Sequence, residues 1–172
     1  MTVRRLEPAD AVPYRALMLA AYAQHPDAFT SSATERAVLP LSWWIARLDA
    51  SPAAGQIVLG AFDGERLVGA AGLEFESREK ARHKASLFGM YVAADVRQGG
   101  VGRQLIEAAL AQAAARDGIR LVQLTVTEGN LAARSLYERC GFQVFGVEPY
   151  AVAVGGAFLS KVHMWCAVGL LA

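Results

Sequence analysis

The sequence predicts a mixed α/β fold, in which a central, mostly antiparallel sheet carries flanking helices. Three observations point there. Two apolar runs, 57–62 and 67–75, are joined by Asp63-Gly64-Glu65-Arg66, and an Asp-Gly pair turns tightly because glycine tolerates positive φ. An Ala-rich helical run stands between two strand-like segments, 85–92 and 122–126, a succession that favours a right-handed parallel crossover. Finally, 54% hydrophobic and 19% charged residues over 172 positions supply enough apolar surface for one core, which excludes a disordered or fibrous chain. A single domain over 1–172 is expected.

The elements follow closely along the chain, with no repeat and no long linker. A short strand at 3–6 leads through Pro8 and Asp10 into a helix whose apolar face includes Leu17, Ala20 and Ala21, and Pro26 ends it near His25. Residues 27–40 are mixed and polar. A second helix is expected at 41–48, where Trp43, Trp44 and Ile45 are too apolar to be wholly exposed. The hairpin follows, then a charged turn at 77–82, the strand at 85–92, and a glycine-rich loop. In the Ala-rich run after that loop, Val101, Leu105, Ala109 and Ala113 recur at helical spacing, and Gly118 closes the helix. Val122, Leu124 and Val126 alternate with Gln123, Thr125 and Thr127, a two-residue period with one drier face. Asn130 suits an N-cap for a helix at 131–140, which Gly141 stops. The last strands are expected at 142–147 and 157–166, turned by Gly155-Gly156.

Charge narrows the partners. Seventeen Lys and Arg against sixteen Asp and Glu give a formal charge of +1, so no basic surplus argues for nucleic acid. The longest uncharged stretches fall short of the roughly 18 to 20 apolar residues of a membrane span, and acidic residues plus Pro8 interrupt the place of a secretory signal. The expected compartment is the cytoplasm, without a membrane partner. Cys140 and Cys166 lack CxxC or Cys/His ligand spacing and read as small buried hydrophobes; no metal site is expected.

The chemistry gathers around Arg97-Gln98-Gly99-Gly100-Val101-Gly102. Such a loop between a strand and a helix start offers orphan amides and the positive end of the helix dipole to an anion. A plain tight turn would use the same glycines. A dinucleotide fingerprint fits poorly, because Leu105 occupies the third glycine position and Val122 stands where a ribose would need an acidic group. No Gly-Lys-Ser/Thr is present for a P-loop. Further on, Tyr137 lies close to two helical turns beyond Asn130, so both side chains can point to one face roughly 10 Å apart.

Met90-Tyr91-Val92, then Arg97-x-x-Gly100-x-Gly102, then a strand ending in Thr127, Asn130 and Leu136-Tyr137-x-x-x-Gly141-Phe142 resemble the GCN5-related N-acetyltransferase (GNAT) superfamily. The resemblance covers about 87–145. It implies a GNAT-like acyl-CoA N-acyltransferase fold and an acetyl-CoA site as cosubstrate site: amides from Gln98 to Arg103 on the pyrophosphate, and backbone of Met90 and Val92, flanking Tyr91, on the pantetheine as an added strand. It also implies a notch where the strands before the loop and after the helix splay apart. By the same resemblance Arg103 lies near the phosphates, although an ordinary solvated Arg reads as well. Asn130 doubles as cap and cofactor contact. Tyr137 becomes the general acid for the CoA thiolate, against the alternative of a packed Tyr bonded elsewhere.

The acceptor amine must shed a proton before it attacks. Glu74, which shares a face with Glu76 at a strand end, is the candidate base; His83, Glu128 and Glu148 are weaker options, and His25 and His163 read as structural. Topology places the amine pocket at Phe29, Trp43, Trp44 and the stretch Glu148-Pro149-Tyr150, with core packing as the competing reading of the tryptophans. The expected activity is acetyl transfer to a primary amine of a small molecule or peptide, by direct transfer in a ternary complex. The alternative is an acyl-CoA-sensing or partner-binding module without turnover. The apolar run 164–172 covers either its own sheet edge or that of a second copy in a homodimer.

Overall fold

The computed structural model describes residues 1–169. The chain begins with strand β1 (Thr2–Arg5), a 3-10 turn at Pro8–Asp10, and helices α1 (Ala11–Gln24), α2 (Ala33–Ala37) and α3 (Leu41–Ala46). Strands β2 (Gln56–Asp63), β3 (Arg66–Phe75) and β4 (Lys84–Val92) follow, then α4 (Val101–Ala115), β5 (Leu121–Thr127), α5 (Leu131–Arg139), β6 (Gln143–Val154) and β7 (Ala157–Ala167). Together the strands form one seven-stranded sheet in the order β1-β2-β3-β4-β5-β7-β6. Every pairing is antiparallel except β4 with β5, the crossover that α4 makes. Asp63 pairs with Arg66 across the expected two-residue turn, with Gly64 at φ 59°.

Each face of the sheet buries a core. On one side α4 and α5 pack Val101, Leu105, Ile106, Ala109 and Tyr137 onto the strands. On the other, α1 and α3 cover β2 and β3 with Tyr14, Met18, Tyr22 and Trp44. The face of α1 is centred differently from expectation: Ala21 is buried as expected, together with the stripe Tyr14, Met18 and Tyr22, while Leu17 and Ala20 are half-buried at its flank. Spacing by four lets the larger rings dominate the contact. Helix α2, absent from the expected elements, is set by a capping box in which Glu35 N–H donates to Ser32 Oγ and Ser32 N–H to the Glu35 carboxylate.

The expected strand at 142–147 is longer, because β6 runs on through Pro149 to Val154. It is the sheet edge, where a proline need not donate to a neighbour, and its register slips between Glu148 and Val152. The apolar run 164–172 supplies the end of β7; its last three positions lie outside the described residues. Cys140 and Cys166 are free and half-buried, packed against the edge of the core rather than fully inside it. Among the described residues no helix is long and apolar enough to cross a membrane.

One irregularity positions the site. Strands β4 and β5 pair only at Lys84–Leu121, Ala85–Val122 and Ser86–Gln123, and beyond these they continue to Val92 and Thr127 without pairing to each other. A bulge around Gly89, at φ 58°, bends β4 at this point. Just before it, the Phe88 ring lies over Gly72 of β3, where any Cβ would collide with it.

Candidate active site

A 3-10 turn at Ala94–Val96 carries the chain from β4 into the glycine loop. There Gln98 takes φ 71° and Gly100 φ 77°, both in the left-handed region. For Gln98 that conformation is strained, and the surrounding loop holds it there. Gly100 caps α4 without a side-chain bond, and the backbone amides of 98 to 103 donate to no acceptor among the described residues. The loop therefore presents a row of free N–H groups at the positive end of a long helix. At Gly102 an added Cβ would sit 2.9 Å from Leu136 and 3.4 Å from Met90, so the glycine lets α4 approach α5 and β4 closely.

These elements enclose a groove of about 670 Å³. Its walls include Met90, Tyr91, Val92, Arg97, Gln98, Gly100, Val101, Gly102, Arg103, Asn130, Tyr137 and Phe29. No Asp or Glu among the described residues lines it, whereas Arg97, Arg103 and Arg139 do, which makes the groove complementary to a polyanion. Arg97 is anchored: its Nε donates to the Val92 carbonyl at 3.0 Å, and its guanidinium meets His25 Nε2 at 3.0 Å. Arg103 lies over its own helix, with Nε 2.6 Å from Glu107.

Tyr137 stands on α5 against Phe142 at 5.9 Å between ring centroids. Burial pushes its phenol above the ordinary value, and the Cys140 thiol acts in the same sense. No protein group bonds its hydroxyl among the described residues, and the hydroxyl is not sealed in as a buried orphan. The phenol is thus neutral, accessible and unspent.

A protein-family model for the "Acetyltransferase (GNAT) family" matches residues 17–142. The chain belongs to the GNAT family. Solved structures agree in fold. A GNAT-family acetyltransferase from Streptococcus pneumoniae superposes with a TM-score of 0.87 at 27% identity, covering 98% of this chain and 99% of that one. The ribosomal-protein-alanine N-acetyltransferase from Brucella melitensis gives 0.79 at 24% identity, covering 98% and 100%. A phosphinothricin acetyltransferase from Sinorhizobium meliloti, solved in complex with acetyl-CoA, gives 0.81 at 18% identity, covering 98% and 88%.

Within this GNAT domain the remaining sequence candidates separate. Gly99 is exposed and lies outside the groove wall. Trp44 is not a substrate contact, because it is fully buried, 5.7 Å from Tyr14 and 5.0 Å from Trp43 between ring centroids; docking of α3 on α1 consumes its ring. Tyr150 is 77% exposed on β6, tilted against Phe158, and takes φ 52°. It does not reach the groove. Glu74 is also outside it, exposed on β3 beside Ser86. Neighbouring Glu76 is committed to Arg78 at 2.6 Å, whose guanidinium holds the carboxyl down to about 2.

His25, which the sequence marks as structural, Leu136, which enters it only within the motif, and Ala28 and Arg139, which it does not single out, also line the groove. Leu136 and Arg139 flank Tyr137 on α5, and a basic residue in the last helical turn near the loop was the available signal. Thr127 ties the wall together, its Oγ1 donating to the Asp27 carbonyl at 2.6 Å, so Phe29 is carried on a loop fastened to β5. Asn130 caps α5, accepting from Ala133 N–H at 3.3 Å. Asn130→Ala is expected to lower stability by about 1 kcal/mol, read as a downward shift in Tm; no shift would mean that the cap contributes nothing.

Proposed function

We propose that this GNAT acetyltransferase moves the acetyl group of acetyl-CoA to a primary amine of a small molecule or peptide, by direct transfer in a ternary complex. The observation that carries this reading is the accessible, unbonded hydroxyl of Tyr137 in the same groove as the free loop amides. The residues fit the cosubstrate: free N–H groups and Arg97, Arg103 and Arg139 suit its phosphates, and the unpaired edge of Met90 to Val92 suits an extended pantetheine arm. The acetyl complex of the Sinorhizobium meliloti enzyme on the same fold agrees with that use.

Acetyl-CoA supplies an activated thioester, and the amine nitrogen forms the new C–N bond as the C–S bond breaks. Tyr137 donates its proton to the departing sulfur. Met90 and Val92 fix the direction of the arm, and the loop amides with the arginines neutralise the phosphates. With no carboxylate in the groove wall among the described residues, the amine gives up its proton to solvent at the open mouth.

A thiol-release assay over a broad panel of amines tests the reading. Free CoA is expected only when acetyl-CoA and an acceptor are both present. Tight binding of acetyl-CoA with no thiol released for any amine would instead identify a sensing or partner-binding module.

A further inference from the structure

The helices over β2 to β4 hold three half-buried arginines: Arg15 on α1, Arg36 on α2 and Arg47 just after α3. Among the described residues no carboxylate lies within 4.0 Å of any of them, whereas Arg4, Arg66, Arg78, Arg103 and Arg134 each hold one. Arg15 donates to the Ala37 carbonyl at 3.0 Å and Arg36 to Ser31 Oγ at 2.7 Å. Arg47 lies beside the Tyr14 phenol, where its charge opposes the rise that burial gives that group, and its Nε is buried without an acceptor. A guanidinium half withdrawn from water beside no anion is a costly arrangement.

The surroundings explain how the cations are held. The guanidinium carbons of Arg36 and Arg47 lie 4.5 and 4.6 Å from the Trp43 ring centroid, and Arg47 lies 5.2 Å from that of Phe88. Stacking on a ring uses the face of a guanidinium and leaves its in-plane N–H donors free, in a fork that matches a carboxylate. The cluster lies behind the groove wall rather than in it, and two contacts connect them. Phe88 precedes Met90 on β4, where β4 and β5 part, and Tyr22, near enough to Arg36 to feel its charge, packs edge-on against groove-lining Phe29 at 5.2 Å.

We infer that the acceptor amine also carries a carboxylate, gripped by Arg47 with Arg36 beside it, so that amino-acid-like molecules are the substrate class. This deepens the transferase reading and rests on it. The test compares the standard α-amino acids, β-alanine and 4-aminobutyrate with their carboxamides, using the full chain and acetyl-CoA. Replacing charge-assisted bonds by neutral ones predicts that kcat/KM favours the best carboxylates over their carboxamides by roughly 10- to 100-fold. Arg47→Gln is expected to bring that ratio towards one, and Arg47→Lys to keep part of it; Arg36→Gln provides a second variant if Arg47→Gln fails to fold.

A ratio near one in the unaltered enzyme, or a ratio that Arg47→Gln leaves intact, overturns the assignment. Calorimetry of the same compounds against the CoA-loaded chain reads the arginine site without turnover. Carboxylate binding that depends on Arg47, with no thiol released for any amine, would sink the transferase reading and keep the site. Equal turnover of carboxylates and carboxamides would do the reverse.

Discussion

Tyr137→Phe is expected to lower kcat by about 100- to 1,000-fold while leaving acetyl-CoA affinity within about twofold. The substitution removes one oxygen that bonds no protein group among the described residues, so the ring keeps its packing on Phe142 and the fold is spared. What disappears is the proton for the leaving thiolate. The phenol lies above its ordinary value because it is buried, and its neutral form therefore persists beyond the usual tyrosine value of about 10. Below that pH the wild-type profile of kcat should carry no falling limb due to this group. A kcat unchanged in Tyr137→Phe, or a falling limb near neutrality that the variant abolishes, would remove Tyr137 from the acid role.

Gly100→Val is expected to weaken acetyl-CoA binding by about 10- to 100-fold, measured by calorimetry. At φ 77° a Cβ meets nothing within 4 Å, so the damage is conformational: a β-branched residue in the left-handed region costs about 1–2 kcal/mol and escapes by turning the loop. Amides that had converged on one anion then diverge, and charge-assisted bonds are lost. Gly118→Val is the matched control. Gly118 has φ 85°, is equally open, and lies beyond the other end of α4. It should show a similar stability loss with unaltered acetyl-CoA affinity. Equal affinity in Gly100→Val and wild type would count against the loop as the phosphate site.

What was legible in the sequence is what short-range chemistry dictates. Asp63-Gly64 fixes its turn through one glycine, 122–127 shows its strand through alternation, and 97–102 shows a loop opening a helix, all without knowledge of distant contacts. The acceptor side was less legible because it depends on docking. Whether Trp43 or Trp44 faces the core follows from how α3 meets α1, and the structure buries Trp44 while leaving Trp43 half-buried between arginines. Glu74, read from its place at a strand end, and Tyr150, read from topology, both lie outside the groove: Glu74 faces solvent beside Ser86, and Tyr150 falls where the β6–β7 register slips. Arg47 gave no signal in the sequence; its interest arises from a neighbour it lacks.

The join between β4 and β5, three residue pairs wide, makes the sheet two panels on a short seam, braced by α4. If the proposed pantetheine arm threads along the open part of that seam, it adds hydrogen bonds where the two strands share none, so occupancy and stability are linked. By mass action, a ligand present at a hundred times its Kd adds about 2.7 kcal/mol to the folded state. Ligand seated there is therefore expected to raise Tm progressively with its concentration.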